Sequence, residues 1–203
     1  VGLRPVARAL DEPELGDVAR DRRLGRAKAT LAERRGQLLL GADRALVESR
    51  AGLAVARRSA HAHSLALALC HAALLHHLRR ETADAGERAT AALELAADQG
   101  LTFWVAYARV LRGRALVGTG ENDTALALMA QGIAEYRALG SEVEVPLFAA
   151  FYAEGCLALE RPSDGLRMVE GALDFVERQH VCCHEAELRR LRGELLARSG
   201  RND

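Results

Sequence analysis

The residues best suited to chemistry form a group of histidines and cysteines near the C-terminal end. His180, Cys182, Cys183 and His184 are close in sequence, and imidazole and thiolate ligands suit Zn²⁺ or Cu⁺. Structural zinc sites, however, separate their cysteines by roughly two to four residues and take a second ligand pair from elsewhere in the chain. Two adjacent cysteines cannot readily chelate one tetrahedral ion. We therefore expect thiols buried in a helix contact, and no metal.

A second concentration of histidines comprises His61, His63, His71, His76 and His77. His71 and His76 are five residues apart, whereas two ligands on one helix face lie about three or four residues apart. The zinc-binding pattern H-E-x-x-H is absent from the sequence. These spacings favour structural or solvent-exposed histidines.

Motifs for a nucleophile or for phosphate binding are also missing from the sequence. No G-x-S-x-G is present, and the only lysine, Lys28, is not preceded by the glycine-rich loop of a P-loop. We therefore identify no catalytic residue, and we expect no cofactor and no enzymatic activity.

An internal repeat organises most of the chain. Small residues return at one constant interval, a period of about 40 residues, as Ala45, Ala85, Ala125 and Gly165. A second track agrees with the first, because the tripeptide Leu-Arg-Gly that ends at Gly113 returns two periods later and ends at Gly193. Repeats of about 20–50 residues are typical of solenoids that stack one supersecondary unit on the next.

Each period contains two helical segments. Apolar residues recur at three- and four-residue steps, and glycine, proline, serine and aspartate mark the breaks. The predicted helices are 16–40, 43–59, 63–80, 82–98, 102–118, 121–139, 144–160, 162–179 and 183–199. No segment alternates in the manner of a strand. We predict an all-α fold, an α-α superhelix (a tetratricopeptide-like solenoid) of about nine antiparallel helices.

Small residues fall where the paired helices must approach each other. One set lies midway along the first helix of a pair, and the other lies in the first turn of the second helix. The two sets are Ala73, Gly113, Ala153 and Gly193, and then Ala45, Ala85, Ala125 and Gly165. We expect close helix contacts at both places, so a bulky replacement should destabilise the fold.

The remaining functional surface is the groove that the first helices of stacked pairs line. By the period, its inward side chains are His77, Tyr107, Arg114, Glu154, Arg190 and Glu194. Tyrosine and arginine are enriched at binding hot spots, and a groove of mixed charge suits a peptide or a helical protein segment. The competing interpretation is that these are ordinary solvated side chains. Phe103 and Trp104 are expected to fill the interface between repeats.

The sequence also resembles a known group of proteins. The segments that carry the resemblance are 63–69, 77–81, 98–104, 111–113 and 185–196. Together they resemble the C-terminal tetratricopeptide region of large bacterial signalling proteins. In those proteins an AAA/STAND-type ATPase is joined to a class III adenylate/guanylate cyclase domain or to a LuxR-type DNA-binding domain. The resemblance covers Gly41 to Gly200 and implies a regulatory module, with the catalytic residues in other domains.

Composition bears on the partners. Lys and Arg together number 28, as do Asp and Glu, so the formal net charge is zero. A nucleic-acid binder usually has a basic excess, so we expect no direct contact with nucleic acid. No apolar run reaches the roughly 18 residues of a membrane span, and the four cysteines do not form a disulfide framework. We expect a cytoplasmic protein without membrane contact.

The predicted organisation has two parts. Residues 1–40 are more charged and lie outside the resemblance, so we assign them to a divergent N-terminal helical segment. Residues 41–203 form the repeat domain. Because the sequence begins at Val1 without a methionine and stops after an unpaired helix, we expect a fragment of a longer chain.

The predicted function is a non-catalytic module for protein interaction and regulation within a bacterial signalling ATPase or cyclase. Its partner would be a protein or peptide, including other domains of the same chain. Two alternatives stay open at this point. One is a small-ligand-sensing superhelix of a transcriptional regulator. The other is a stand-alone adaptor or oligomerisation scaffold that self-associates through the ends of the repeat stack.

Overall fold

The computed structural model describes residues 41–179 and 184–200, which form eight helices and no strand. Residues 41–59 are helix α1. The others are α2 (Ala62–Leu78), α3 (Thr82–Asp98), α4 (Thr102–Leu116), α5 (Asn122–Ala138), α6 (Val145–Ala158), α7 (Pro162–Gln179) and α8 (Glu185–Ser199). The all-α prediction is confirmed for this part of the chain, and so are the helices predicted from residue 43 onward.

The predicted helix 16–40 and the N-terminal segment 1–40 lie outside the described residues. The chain divides into two compact units, Val1–Ala45 and Leu46–Asp203, and the contacts and sites below belong to the second. None of the helices in the described ranges is long and apolar enough to cross a membrane.

The turns between helices follow two patterns. Gly100 and Gly140 follow α3 and α5 with φ of 65° and 74°, the left-handed conformation in which glycine ends a helix at low cost. Arg80 and Glu160 follow α2 and α6 and are also left-handed, at 62° and 54°. Sequence rules for glycine predict the left-handed conformation at the first pair of helix ends. They do not predict it at the second pair, because Arg80 and Glu160 are not glycine.

From α2 to α8 each helix packs against the next, and consecutive helices from α2 to α7 are joined by short turns, so neighbours run antiparallel. Contacts also join α2 to α4, α4 to α6 and α6 to α8, whereas α3, α5 and α7 make no contact with one another in the part described. The even-numbered helices therefore lie side by side with their C-terminal ends along one edge. This layer is where a shared surface can form.

Close approach between helices occurs where small residues were predicted. A Cβ added to Gly113 of α4 would lie 2.6 Å from the carbonyl oxygen of Ala125 and 2.9 Å from the backbone nitrogen of Met129, both on α5. At Gly165 of α7, an added Cβ would lie 3.0 Å from the Cβ of Cys156. Gly193 differs, because nothing among the described residues comes within 4 Å of its Cβ position. The predicted close contact is therefore present at Gly113 and Gly165 but not at Gly193.

Two clusters of buried side chains form the core. The larger cluster spans α1 to α6 and contains most of the aromatic residues, including Trp104, Tyr107 and Phe148. The smaller cluster joins α6, α7 and α8 through residues such as Leu173 and Leu191. Helix α6 contributes to both clusters, so it connects the first helices of the unit to the last.

Candidate functional site

Three of the six predicted groove residues come together at the C-terminal ends of the even-numbered helices. His77 of α2, Arg114 of α4 and Glu154 of α6 line one cavity of about 540 Å³. The rest of its lining is Leu78, Arg80, Thr82, Val117, Phe151 and Ala158. Its volume falls within the roughly 300–1,000 Å³ of typical ligand pockets.

The repeat explains why these side chains share one surface. Arg114 and Glu154 are one period apart, so they occupy equivalent positions on helices α4 and α6, which contact each other. His77 and Val117 are likewise separated by one period on α2 and α4. An interval of one period therefore places side chains from neighbouring helices next to each other around the cavity.

Arg114 and Glu154 form an ion pair between α4 and α6 through the Nη2 atom of the arginine. The guanidinium carbon of Arg114 also lies 5.7 Å from the ring centroid of Phe151, within the range of a cation–π contact. Both charged side chains are about one-third exposed or less. The pair thus fixes two opposite charges in the wall of the cavity while solvent still reaches them.

His77 is held by a hydrogen bond that crosses between helices. Its Nε2 donates to the carbonyl oxygen of Leu111 on α4 at 2.9 Å, and its ring centroid lies 5.9 Å from that of Phe151. The pKa of His77 is lowered from 6.5 to about 4, mainly by burial. The nearby charge of Arg114 acts in the same direction, and the hydrogen bond to Leu111 opposes both. The ring is therefore neutral at pH 7, with Nδ1 as an unprotonated acceptor that bonds to none of the described residues.

No family model matches the chain, and neither the curated proteins nor the solved structures contain a match. What the cavity can bind is therefore argued from its own residues. It offers guanidinium donors, one carboxylate and one neutral imidazole acceptor. The apolar part of the lining, called the floor below, consists of Leu78, Val117, Phe151 and Ala158.

Tyr107 corrects the predicted groove. Its side chain is only 2% exposed, because it packs edge-on against Phe148 at 5.0 Å and against the rings of Trp104 and Tyr136. The period places Tyr107 on α4 correctly but does not reveal that aromatic residues from α5 and α6 cover it. Tyr107 is a core residue here and does not line an accessible groove.

Arg190 and Glu194 lie on α8, outside the lining of the cavity. Arg190 forms ion pairs with Glu187 and Glu194 of its own helix. The sequence interval of three or four residues is sufficient to predict such pairs. The six predicted residues therefore divide into a clustered group of three, one core residue and two members of an exposed network on α8.

The described histidines outside the cavity take local structural roles. His61 accepts a hydrogen bond from the backbone of Ser64 at 3.3 Å and caps α2. His71 bonds to the carbonyl oxygen of Leu67 at 2.9 Å, and the ring of His63 meets Trp104 edge-on at 5.5 Å. Of the predicted thiol and imidazole group, His180, Cys182 and Cys183 lie outside the described residues.

One group of potential metal ligands lies in the turn between α2 and α3. Ligand atoms of His76, Glu81 and Asp84 are within 4.8 Å of one another. His76 Nδ1 is 2.6 Å from a carboxylate oxygen of Glu81, whose other oxygen accepts from Arg79 at 2.9 Å. These hydrogen bonds lower the pKa of Glu81. The carboxylate of Glu81 therefore bonds to His76 of α2 and to Arg79, and these contacts hold together the chain between α2 and α3.

The two described cysteines are buried and free. Burial raises the pKa of Cys70 to about 12 and that of Cys156 to about 11. Both thiols therefore stay protonated at neutral pH and are poor nucleophiles. Cys70 and Cys156 are thus small core side chains.

Several cavity residues were missed at the level of sequence. Phe151 precedes Glu154 by three residues on α6, so the helical period could have indicated that Phe151 faces the same surface. Arg80 lies in the turn after α2, Thr82 is the first residue of α3, and the chain between the two helices turns through the left-handed backbone at Arg80. The sequence predicts the break between helices 63–80 and 82–98 but not the left-handed conformation of Arg80.

The pKa of His77 makes stability depend on pH. Its folded-state pKa of about 4 lies below 6.5, so the folded protein binds fewer protons than the unfolded chain between those values. Stability should therefore fall as pH drops through this window and be insensitive to His77 above it. The check is urea unfolding at about pH 7 and about pH 5, for the wild type and for His77→Gln, whose amide can still donate to Leu111. A wild type that loses no more stability than the variant would contradict the expected titration.

Proposed function

We propose that the chain is a non-catalytic binding module of the tetratricopeptide kind, which takes a segment of a protein partner in the groove along α2, α4 and α6. The helix positions support this proposal. The first residues of α3, α5 and α7 are Thr82, Asn122 and Pro162, each one period after the last, and α2 and α4 also begin one period apart. Helix α6 begins three residues late in this register. Layered helix pairs with one shared face are the usual platform for such binding.

The single observation that carries the proposal is the cavity lined by His77, Arg114 and Glu154. Three successive helices of one layer contribute to it, and it combines charged, neutral polar and aromatic side chains. Binding sites typically have an apolar lining with a few fixed polar groups. Phe151 and Arg114 belong to residue classes that supply anchors at protein interfaces.

The regulatory role rests on the sequence resemblance described above. In bacterial signalling ATPases and cyclases of that kind, the helical region would bind a partner or another domain of the same polypeptide and so control the catalytic part. A cytoplasmic location and the absence of direct contact with nucleic acid belong to the same proposal.

The proposal is tested with a charge reversal in the cavity and a matched one outside it. Peptides are selected from a phage-displayed random library against the full chain, and their affinities are then measured by fluorescence anisotropy. We expect Arg114→Glu to weaken binding by about tenfold or more, the loss of one charge-assisted contact. Arg190→Glu, an exposed position on α8, should bind like the wild type.

A second variant distinguishes a loss of peptide binding from a loss of folding. In Arg114→Glu with Glu154→Arg, the opposite charges exchange places, so an ion pair between α4 and α6 can re-form. We expect wild-type thermal stability and weakened peptide binding from this double variant. Unchanged affinity in both Arg114 variants would refute the proposed groove.

The small-ligand alternative is favoured by a different cleft. A cavity of about 390 Å³ lies between α3, α4 and α5 and is lined mainly by apolar groups such as Ala97, Val105 and Leu139. The ion pair of Arg109 with Glu135 borders it. A metabolite that raises the unfolding temperature of the wild type, and fails to do so for Val105→Trp, would support that alternative.

A further inference from the structure

We propose that the partner segment presents an acidic side chain next to an aliphatic one, with the carboxylate received by Arg80 and Arg114 and the aliphatic group placed on the floor of the cavity. This inference rests on the proposed function and specifies the chemistry of the partner. It commits to a peptide segment of a protein.

The lining carries an excess of positive charge. Arg80 is exposed, and its side chain forms no hydrogen bond or ion pair with the described residues. Arg114 binds Glu154 through Nη2 alone, which leaves its other guanidinium nitrogens available. Among the described residues of the lining, Glu154 is the only carboxylate, against two guanidinium groups. One positive charge is therefore unmatched, and a partner carboxylate is the group that would neutralise it.

The helix ends do not reverse this preference. The C-terminal ends of α2, α4 and α6 carry partial negative charge, which would favour a cation. Backbone N–H groups of the following turns already satisfy some of these carbonyls, as in the bond from Glu81 to the carbonyl oxygen of His76 at 2.9 Å. The N-terminal end of α3, which contributes Thr82 to the lining, adds partial charge of the opposite sign. The full charges of the two arginines therefore outweigh the helix ends, and the cavity favours a negatively charged partner group.

The apolar floor of the cavity is the reason why we expect an aliphatic side chain in the partner segment. Leu78 is 65% exposed, and it lines the cavity together with Val117, Phe151 and Ala158. Covering an exposed apolar side chain removes apolar surface from water and so favours the complex. A leucine-like side chain beside the acidic residue would contact this floor while the carboxylate reaches the arginines.

His77 adds a restriction on the orientation of the peptide. Its Nε2 is committed to Leu111, so the neutral ring offers only an acceptor at Nδ1. A backbone N–H of the partner is the complementary group, because an extended peptide presents N–H donors along its length. A partner lysine could also donate to Nδ1, but its charge would face Arg80 and Arg114 without compensation.

The test compares matched peptides and matched protein variants. A peptide selected from the random library is resynthesised with its acidic residue replaced by the corresponding amide, and both forms are titrated against the full chain. Arg80→Asn removes the unpaired charge, and asparagine tolerates the left-handed backbone. Arg137→Asn on α5, an exposed arginine outside the lining, is the control.

We expect the acidic peptide to bind about tenfold more tightly than its amide form to the wild type and to Arg137→Asn. Arg80→Asn should lose most of that difference, since the double-mutant cycle isolates the contact between the two groups. Selection of basic or uncharged peptides, or an acidic-to-amide ratio that is unchanged in Arg80→Asn, would overturn the inference and leave the groove intact. Failure to select any peptide would overturn both this inference and the proposed function.

Discussion

Gly113→Leu is expected to destabilise the chain by about 3 kcal/mol, the upper end of typical overpacking costs. A Cβ at this position already meets backbone atoms of α5, at 2.6 Å from the Ala125 oxygen and 2.9 Å from the Met129 nitrogen. Backbone cannot turn away as a flexible side chain can, so α4 and α5 must separate. Urea unfolding monitored by circular dichroism measures the change, with Gly113→Ala as a smaller step in the same direction.

The control for this substitution lies on α8. Gly193 occupies the equivalent place there, two periods after Gly113, but nothing in the described residues lies within 4 Å of its Cβ position. Gly193→Ala should therefore stabilise the chain by about 0.5–1 kcal/mol, because alanine favours a helix over glycine. Opposite signs at two equivalent glycines would show that contact with the next helix decides the cost. Wild-type stability in Gly113→Leu would show that the close contact is wrong.

The second large effect is expected for Phe148→Ala, at about 3–5 kcal/mol. Phe148 is fully buried and meets Tyr107 of α4 at 5.0 Å and Tyr136 of α5 at 5.3 Å, edge-on in both cases. Its loss would leave a cavity where α4, α5 and α6 meet. Because α6 connects the two core clusters, the substitution should also reduce the cooperativity of unfolding across the helix stack.

Two further variants bracket the expected result for Phe148. Phe148→Leu keeps much of the volume and should cost less than about 1.5 kcal/mol. Val143→Ala, at a side chain that is 77% exposed in the preceding turn, should change stability by no more than about 0.5 kcal/mol. Differential scanning calorimetry reports both the midpoint and the cooperativity. A loss in Phe148→Ala as small as that in Val143→Ala would contradict the role given to the aromatic contacts.

The helices could be predicted from sequence because their signals are local. Gly100 and Gly140 end helices by their backbone freedom, and Pro162 begins one in the position that proline tolerates. The repeat period also placed Gly113 against α5, because equivalent small residues recur in both tracks. These features depend on residue type and spacing within one or two helices.

The site could be predicted only in part because it depends on how neighbouring helices are rotated. Periodicity assigns Tyr107 and Arg114 of α4 to the same side, yet rings from α5 and α6 cover Tyr107 while Arg114 stays within reach of solvent. The hydrogen bond of His77 to Leu111 joins two helices and cannot be predicted from the spacing of residues in the sequence. Side-chain burial of this kind follows from tertiary packing, which a single sequence does not specify position by position.

The most direct test of the proposed groove is photo-crosslinking from a bound peptide. A benzophenone is placed in a peptide selected on the full chain, and mass spectrometry of the digested product locates the attachment. We expect attachment at Leu78, Val117 or Ala158, in the lining of the cavity formed by α2, α4 and α6. Attachment confined to α3, α5 and α7 away from this lining would contradict the assignment of partner binding to the groove.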